Sequence, residues 1–113
     1  DRRLVEIDGD GLEVLGRDEC LRLLRDHRVG RLGVTDGALP TILPVRYWCD
    51  GTAIHVLARP GSKLDAALRD SVVAFEIDDL EAGWSVVTGV ASVGPVERVV
   101  TITTDLVSGR RVA

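Results

Sequence analysis

The chain contains 113 residues, of which 45% are hydrophobic and 28% charged, and this size fits a single domain over residues 1–113. Its net charge of -4 excludes a nucleic-acid-binding protein that works through a broad basic surface, because such binding depends on neutralising phosphates. No apolar run approaches the ~20 residues that span a bilayer, and no signal peptide leads the sequence, so we expect no membrane partner.

The two cysteines indicate the redox compartment. Cys20 and Cys49 have no nearby Cys or His partner, so the sequence predicts no metal site. We expect two buried or half-buried thiols in a reducing cytoplasm. Because the sequence has no Met, even at position 1, we also expect a chain that has been trimmed at its start.

The N-terminal part predicts one helix after a ragged extended segment. Residues 1–15 favour a strand or an extended arm that is interrupted by glycines. Over residues 16–28 apolar side chains recur at helical spacing. Asp18 and Glu19 suit the first turn, near the positive end of the helix dipole. We therefore predict a short helix over residues 16–28.

From Gly30 onward the hydrophobic pattern alternates with a period of two, which predicts strands. Asp-Gly pairs at 36–37 and 50–51 indicate hairpin turns. Pro44 is expected at an edge, at a bulge or where the sheet splits open, because proline donates no hydrogen bond to a neighbouring strand. A second short helix is expected over 62–70, and the predicted strands are 29–35, 39–49, 52–58, 71–78, 84–93 and 97–104.

These elements together predict a mainly β protein with about six or seven strands and two short helices. The short connections favour antiparallel hairpins. A small antiparallel sheet hides its edges most simply by closing on itself, so the expected fold is an antiparallel β-barrel.

Residues 55–70, HVLARPGSKLDAALRD, join a predicted strand to a predicted helix and contain a candidate anion site. A helix N-terminus offers free N–H groups and partial positive charge, to which Ser62 would add a hydroxyl and Lys63 a cation. This chemistry suits a phosphate monoester, and Arg59 could supply a second cation. The alternative is that Ser62 is only the N-cap and Lys63 a surface residue.

Arg46, the two tryptophans and one histidine are further candidates. Arg46 lies in an otherwise apolar strand, so its side chain either points to solvent or helps to bind the anion. Trp48 and Trp84 are either core or dimer contacts or a flat wall against a planar ligand. His55 is expected to be structural or on the surface. The sequence has no Ser-His-Asp set, dinucleotide-binding glycine fingerprint or Walker loop, so an enzyme would need a cofactor.

Five segments, taken in order, resemble small actinobacterial-type members of the pyridoxamine 5'-phosphate oxidase-like family. They are ECLRLLRDHRVGRLGV, LPTILPVRYWCDG, HVLARPGSKLDAAL, VAFEIDD and GWSVVTGVASV, and they cover nearly the whole chain. Such proteins are split β-barrel flavoproteins. The resemblance implies a homodimer with FMN at the subunit interface, a small-molecule substrate and two-electron transfer at the flavin ring. The alternatives are a deazaflavin-dependent reductase on the same barrel and a non-catalytic flavin- or haem-binding module.

The resemblance also implies which residues form the FMN site. One strand would lay its backbone along the flavin ring and end in a basic residue, and the next strand would line the ring and the ribityl chain. A turn would hold the phosphate, and a later strand would place a side chain near the ring. The matching residues, in this order, are Pro44, Val45 and Arg46, then Val56, Leu57 and Ala58, then Ser62 and Lys63, and finally Trp84.

Three features depart from the family pattern. Trp84 stands where true oxidases have a polar side chain, so the ring contact there would be stacking or a backbone hydrogen bond. The chain lacks the C-terminal Trp of true oxidases, and Arg110 and Arg111 are the candidates to reach the neighbouring site. The stretch between Val93 and Glu97 is shorter than in relatives, so we expect that a disordered loop is missing there.

Overall fold

The structure is a computed structural model that describes residues 5–36, 39–57, 59, 71–88, 91–93 and 99–112. Within these residues the chain forms one α-helix and ten β-strands. The helix is α1 (Arg17–Asp26). The strands are β1 (Glu6–Ile7), β2 (Leu12–Leu15), β3 (Val29–Asp36), β4 (Leu39–Cys49), β5 (Ala53–Leu57), β6 (Ser71–Asp79), β7 (Trp84–Val87), β8 (Ala91–Val93), β9 (Val99–Thr103) and β10 (Ser108–Val112).

The helix α1 forms where the sequence predicts it, and it ends at Asp26, two residues before the expected end. Asp18 and Glu19 occupy its first turn, and its buried side chains are Cys20, Leu23 and Leu24. This acidic first turn stabilises the positive end of the helix dipole.

The described part of the chain contains no helix with the length and apolar character needed to span a membrane.

The hydrogen-bonded strands follow the order β1-β2-β10-β7-β6-β3-β4-β5-β9, and β8 pairs with β6 outside this path. All pairings between described strands are antiparallel. The strand β3 lies in the middle, because it pairs with β4 along its whole length and with β6 on its other side.

Six of the strands approach a barrel-like ring without completing it. β6, β3, β4, β5 and β9 are hydrogen-bonded in that order, while β8 pairs with β6 and lies beside β9. No register joins β8 to β9 among the described residues, and the ends of the path, β1 and β9, do not pair there. The sheet is therefore not closed.

The strand β4 passes from one part of the sheet to another. From Leu39 to Arg46 it pairs with β3, and from Tyr47 to Cys49 it pairs with β5. Pro44 lies before the described pairing with β5 begins, so its missing N–H removes no described hydrogen bond to β5. Of the three positions expected for Pro44, an edge, a bulge or a split in the sheet, the structure shows the split.

The core lies between the inner face of the sheet and α1. Tyr47 on β4 donates its hydroxyl to the carbonyl oxygen of Leu24 on α1 at 2.7 Å, and burial raises the pKa of this phenol. Its ring meets Phe75 on β6 edge to face, with the centroids 4.9 Å apart. Cys20 is buried and Cys49 half-buried, and both thiols are free, as expected.

The predicted mainly β, antiparallel fold is confirmed, but the strand count is ten rather than six or seven. The extra strands include the short strands β1 and β2, which are separated by a turn that contains Gly9 and Gly11. The second predicted helix, over 62–70, lies outside the described residues. The predicted loop between Val93 and Glu97 also falls largely outside them.

Gly30 provides a test of the core. A Cβ atom at this position would lie 2.4 Å from Cζ of Phe75 and 2.9 Å from the carbonyl oxygen of Glu76. Because this overlap forces the ring or the strand to move, we expect Gly30→Ala to lower the free energy of unfolding by about 1–3 kcal/mol in urea denaturation. Gly33→Ala on the same strand is the control, since its nearest neighbour is 3.7 Å away. Equal stability of the two variants would contradict this packing.

Candidate functional site

A groove of about 360 Å³ lies where β4 leaves β3 and joins β5. Most of its residues come from one stretch of β4, and the opposite wall comes from the end of β5. Its size falls within the range of small-molecule sites. The lining residues are Pro44, Val45, Arg46, Tyr47, Trp48 and Leu57.

Strand alternation decides which of these side chains face the groove. Along β4, Pro44, Arg46 and Trp48 are exposed, whereas Val45 and Tyr47 are buried in the core. The sequence prediction grouped Val45 with its neighbours, but the side chain of Val45 points the other way. A ligand in the groove would meet this residue through its backbone.

The predicted residues of β5 divide in the same way. Val56 is 0% exposed and packs in the core, opposite Tyr47. Leu57 is 61% exposed and lines the groove. Ala58, which was predicted to line the ring and the ribityl chain, lies outside the described residues, as do Ser62 and Lys63, the predicted phosphate end of the site.

Arg46 supplies the positive charge of the groove. It opposes Val29 on β3, and within the described part of the chain its guanidinium forms no ion pair. Most other described arginines bind carboxylates or carbonyl oxygens. Because Arg46 has no such partner among the described residues, its guanidinium is available to bind an anion. Such an anion would gain a charge-assisted hydrogen bond.

The backbone of Arg46 adds a second donor. The N–H of the next residue, Tyr47, points towards β3 and donates to the carbonyl oxygen of Arg28 at 2.9 Å. Successive residues of a strand direct their N–H groups to opposite sides, so the Arg46 N–H points away from β3. The described pairing with β5 starts only at Tyr47. This part of β4 can therefore offer an N–H to a ligand.

One end of the groove carries an aromatic pair that is not among the family-implied site residues, although Trp48 was a candidate wall against a planar ligand. Trp48 opposes His55 on β5, and their rings stack with centroids 5.2 Å apart and planes 28° apart. The imidazole Nε2 lies 2.8 Å from Oδ2 of Asp50, and Nδ1 lies 3.2 Å from Oγ1 of Thr101. The sequence did not give this pairing, because a two-residue turn at the Asp-Gly pair would place Trp48 opposite Ala53, whereas the observed register pairs Cys49 with Ile54 and Trp48 with His55.

Asp50 anchors this pair. Its Oδ1 accepts hydrogen bonds from the N–H groups of Thr52 and Ala53 and from the Thr52 hydroxyl. Together with the His55 ring, which contributes most, these donors lower the pKa of the Asp50 carboxyl well below its usual range. The carboxylate therefore stays ionised wherever the protein is folded at ordinary pH.

A group of three charged side chains lies on the same outer face, beside Pro44. Arg31 on β3 forms ion pairs with Glu76 and Asp78 on β6. Burial, followed by the neighbouring Asp78 carboxylate, raises the pKa of Glu76. These charges are mutually satisfied and leave Arg46 as the available cation next to them.

Comparison with known families shows to which family the chain belongs. The family model described as pyridoxamine 5'-phosphate oxidase matches residues 16–107, which include α1, the groove and the Trp48–His55 pair. The chain belongs to this family.

Individual proteins resemble the chain to different extents. An uncharacterized protein of Mycobacterium tuberculosis is 39% identical over 101 residues, which cover 80% of this chain and 61% of that protein. The chain thus spans 61% of the length of this curated relative. The solved structure of an FAD-binding protein from Mycobacterium smegmatis has a TM-score of 0.75 and 28% identity, over 88% of this chain and 97% of that one.

A further solved structure, of an FAD-binding protein from Mesorhizobium loti, has a TM-score of 0.72 at 21% identity. The match covers 90% of this chain and 97% of that one. At this identity the likeness shows the fold alone. The family fold therefore extends over nearly the whole described chain.

Trp84, the remaining family-implied site residue, lies away from the groove. It is 8% exposed on β7 and meets the ring of His27 edge to face, with centroids 5.2 Å apart. The strands β6 and β3 separate β7 from β4. Within one chain, Trp84 is a core residue and does not share the groove with Arg46.

The two C-terminal arginines hold the edge of the sheet together. Arg110 pairs with Asp8, and Arg111 pairs with Glu13 and Glu19. These contacts tie β10 to the N-terminal hairpin and to α1. Both side chains are therefore engaged within their own chain.

No group of three or more His, Cys, Asp or Glu residues in the described part of the chain could hold a metal ion.

The lowered pKa of Asp50 predicts a pH dependence of stability. Because the folded state favours the ionised carboxyl, its contribution is complete above the ordinary pKa of about 3.9 and is lost as the pH falls towards the lower folded pKa. We therefore expect the free energy of unfolding to fall less steeply on acidification below about pH 4 in Asp50→Asn than in the unmodified protein.

Urea denaturation between pH 3 and pH 6 measures this difference. Asp105→Asn is the control, since Asp105 is exposed and makes no ion pair within the described residues. In Asp105→Asn the free energy of unfolding should fall with pH as it does in the unmodified protein. If it also falls equally steeply in Asp50→Asn, the Asp50 carboxylate is not selectively stabilised in the folded state.

Proposed function

We propose that this protein is an FMN-binding oxidoreductase with a split β-barrel fold, acting as a cytoplasmic homodimer on a small-molecule substrate. The observation that carries the proposal is the groove, which is lined by Arg46 on β4 and Leu57 on β5 and in which Arg46 offers a backbone N–H and a guanidinium that is unpaired among the described residues. Family membership and the likeness to the FAD-binding protein of M. smegmatis support a flavin as the ligand.

The groove has the chemistry that a flavin needs. Pro44, Leu57 and Trp48 present apolar and aromatic surface to a planar ring, and the Arg46 N–H can donate to a ring oxygen or nitrogen. Bound FMN would supply two-electron transfer, as hydride passing to or from its ring. The chain's own residues bind and orient the ring and exclude water from one of its faces.

The phosphate would bind at the other end of this site. Leu57 ends β5, and the sequence continues through Pro60 and Gly61, which are predicted to form a turn, to Ser62 and Lys63. A hydroxyl and a cation at a helix N-terminus suit a phosphate monoester. Arg46 and Lys63 together would offset its negative charge.

The cofactor proposal is tested by titrating FMN into the apoprotein and following flavin fluorescence. We expect Lys63→Ala to weaken binding more than any other single change, by about 1.5–3 kcal/mol, because a charge-assisted hydrogen bond is lost. Arg46→Ala is expected to weaken it by a smaller amount. Arg22→Ala removes a positive charge from the far side of α1 and is the matched control.

Unchanged FMN affinity in both Lys63→Ala and Arg46→Ala would overturn the assigned site. The absorption spectrum of the purified protein tests the cofactor class. Flavin bands support the proposal, whereas a single deazaflavin band or a Soret band would replace FMN with deazaflavin or haem. A colourless protein that takes up none of these would overturn the redox function.

The proposed homodimer rests on the outer face of β3, β4 and β5. Large apolar side chains there are open to solvent, among them Val29, Ile42 at 71% exposure and Leu57. Single exposed apolar residues are common, but several on one face mark an interaction surface. A second copy of the chain would cover this face and enclose the groove.

Sedimentation velocity tests the dimer. We expect the unmodified protein to sediment as two chains and Ile42→Glu to sediment as one, because a buried unpaired carboxylate destabilises the interface. Leu106→Glu, at a comparably exposed site in the turn before β10, should leave the dimer intact. A monomeric unmodified protein, or a dimeric Ile42→Glu, would contradict this interface.

A further inference from the structure

We propose that Trp48 is a stacking contact for the ring of the bound flavin, and that His55 is the positioning residue that fixes the Trp48 indole. This proposal rests on the proposed flavin function and adds two residues to the site. Neither was among the residues that the family resemblance implied for the cofactor.

Trp48 is placed to touch a ligand of the groove. It follows Arg46 on the same face of β4, and side chains two positions apart on a strand are separated by about 6–7 Å. The indole lines the groove and is 43% exposed. A flat ring lying beside Arg46 and Leu57 would therefore reach the indole.

The stacked imidazole leaves one face of the indole for a ligand. His55 covers the other face, with ring centroids 5.2 Å apart and planes only 28° apart. This contact restricts the orientation of the indole. Its free face is therefore presented at a defined angle, as offset ring stacking requires.

The hydrogen bonds of His55 point to a positioning role rather than to proton transfer. A carboxylate only accepts, so Nε2–H donates to Asp50, and in the neutral ring Nδ1 accepts from the Thr101 hydroxyl. Both ring nitrogens are thus occupied within the chain. The ring is clamped between the turn after β4 and the strand β9, and Asp50 is itself held by three donors.

A purely structural Trp–His pair is the competing explanation. Cross-strand aromatic pairs stabilise antiparallel sheets, and such a pair would need no ligand. Two observations favour the functional role. The indole keeps nearly half of its surface open in a chain with only two tryptophans, and that surface lies in the same groove as the unpaired cation Arg46.

The test compares the FMN complexes of the unmodified protein, Trp48→Ala, Trp48→Phe, His55→Ala and His55→Phe. The measurements are FMN affinity, fluorescence of the bound flavin and its visible circular dichroism. Indole stacking quenches flavin fluorescence, so we expect Trp48→Ala to brighten bound FMN and to weaken affinity about 2- to 10-fold. Trp48→Phe should restore most of the affinity.

The His55 variants separate positioning from stability. His55→Ala frees the indole and should shift the circular dichroism and fluorescence of bound FMN towards those of Trp48→Ala. His55→Phe keeps a stacked ring and should restore the signature of the unmodified protein. Leu106→Ala, in the turn before β10, is the control and should change neither signal.

The possible failures are distinguishable. If the unmodified protein binds no flavin, the proposed function fails and this inference fails with it. If the unmodified protein binds FMN and Trp48→Ala changes neither affinity nor the flavin signals, only this inference is overturned. If Trp48→Ala has its effect but His55→Ala leaves the flavin signals unchanged, His55 is not a positioning residue.

Discussion

The alternation of side chains along β4 is the constraint on which the site depends. Even-numbered residues from Ile42 to Trp48 face outwards, and odd-numbered residues from Val45 to Tyr47 face the core. Tyr47 fixes which residues of β4 face the core, because its hydroxyl donates a hydrogen bond to the carbonyl oxygen of Leu24 on α1 and its ring packs against Phe75. A shift of one residue would bury Arg46 and expose the core side chains, so packing on the inner face fixes the chemistry of the outer face.

The groove exists because β4 changes partners. Pro44 lies on the part of the strand that pairs only with β3 among the described residues, and pairing with β5 begins three positions later. If β4 and β5 were hydrogen-bonded along their whole length, the Arg46 N–H would donate to β5 and the space between the two strands would be closed. The proline that weakens the sheet locally is therefore also what leaves room and a backbone donor for a ligand.

Ion pairs within the described part of the chain engage several arginines but not Arg46. Arg31 is held by Glu76 and Asp78, and Arg110 and Arg111 are held by carboxylates of the N-terminal segment and α1. Each exposed pair contributes only about 0–1 kcal/mol to stability. Their larger effect is to hold these arginines close to their own carboxylates, which leaves Arg46 as the cation of the groove in a chain whose net charge is negative.

The sequence by itself determined the helix α1, the antiparallel β class and an interruption of regular pairing at Pro44, because periodicity, turn residues and proline chemistry act locally. Likeness to the family carried the prediction to Arg46 and Leu57, which line the groove. Only the tertiary structure decided that Trp84 belongs to the core and that Trp48 joins the groove. The sequence offers no local signal that separates the two tryptophans. The order of the strands places β7 away from β4, and this order depends on contacts between residues far apart in the chain.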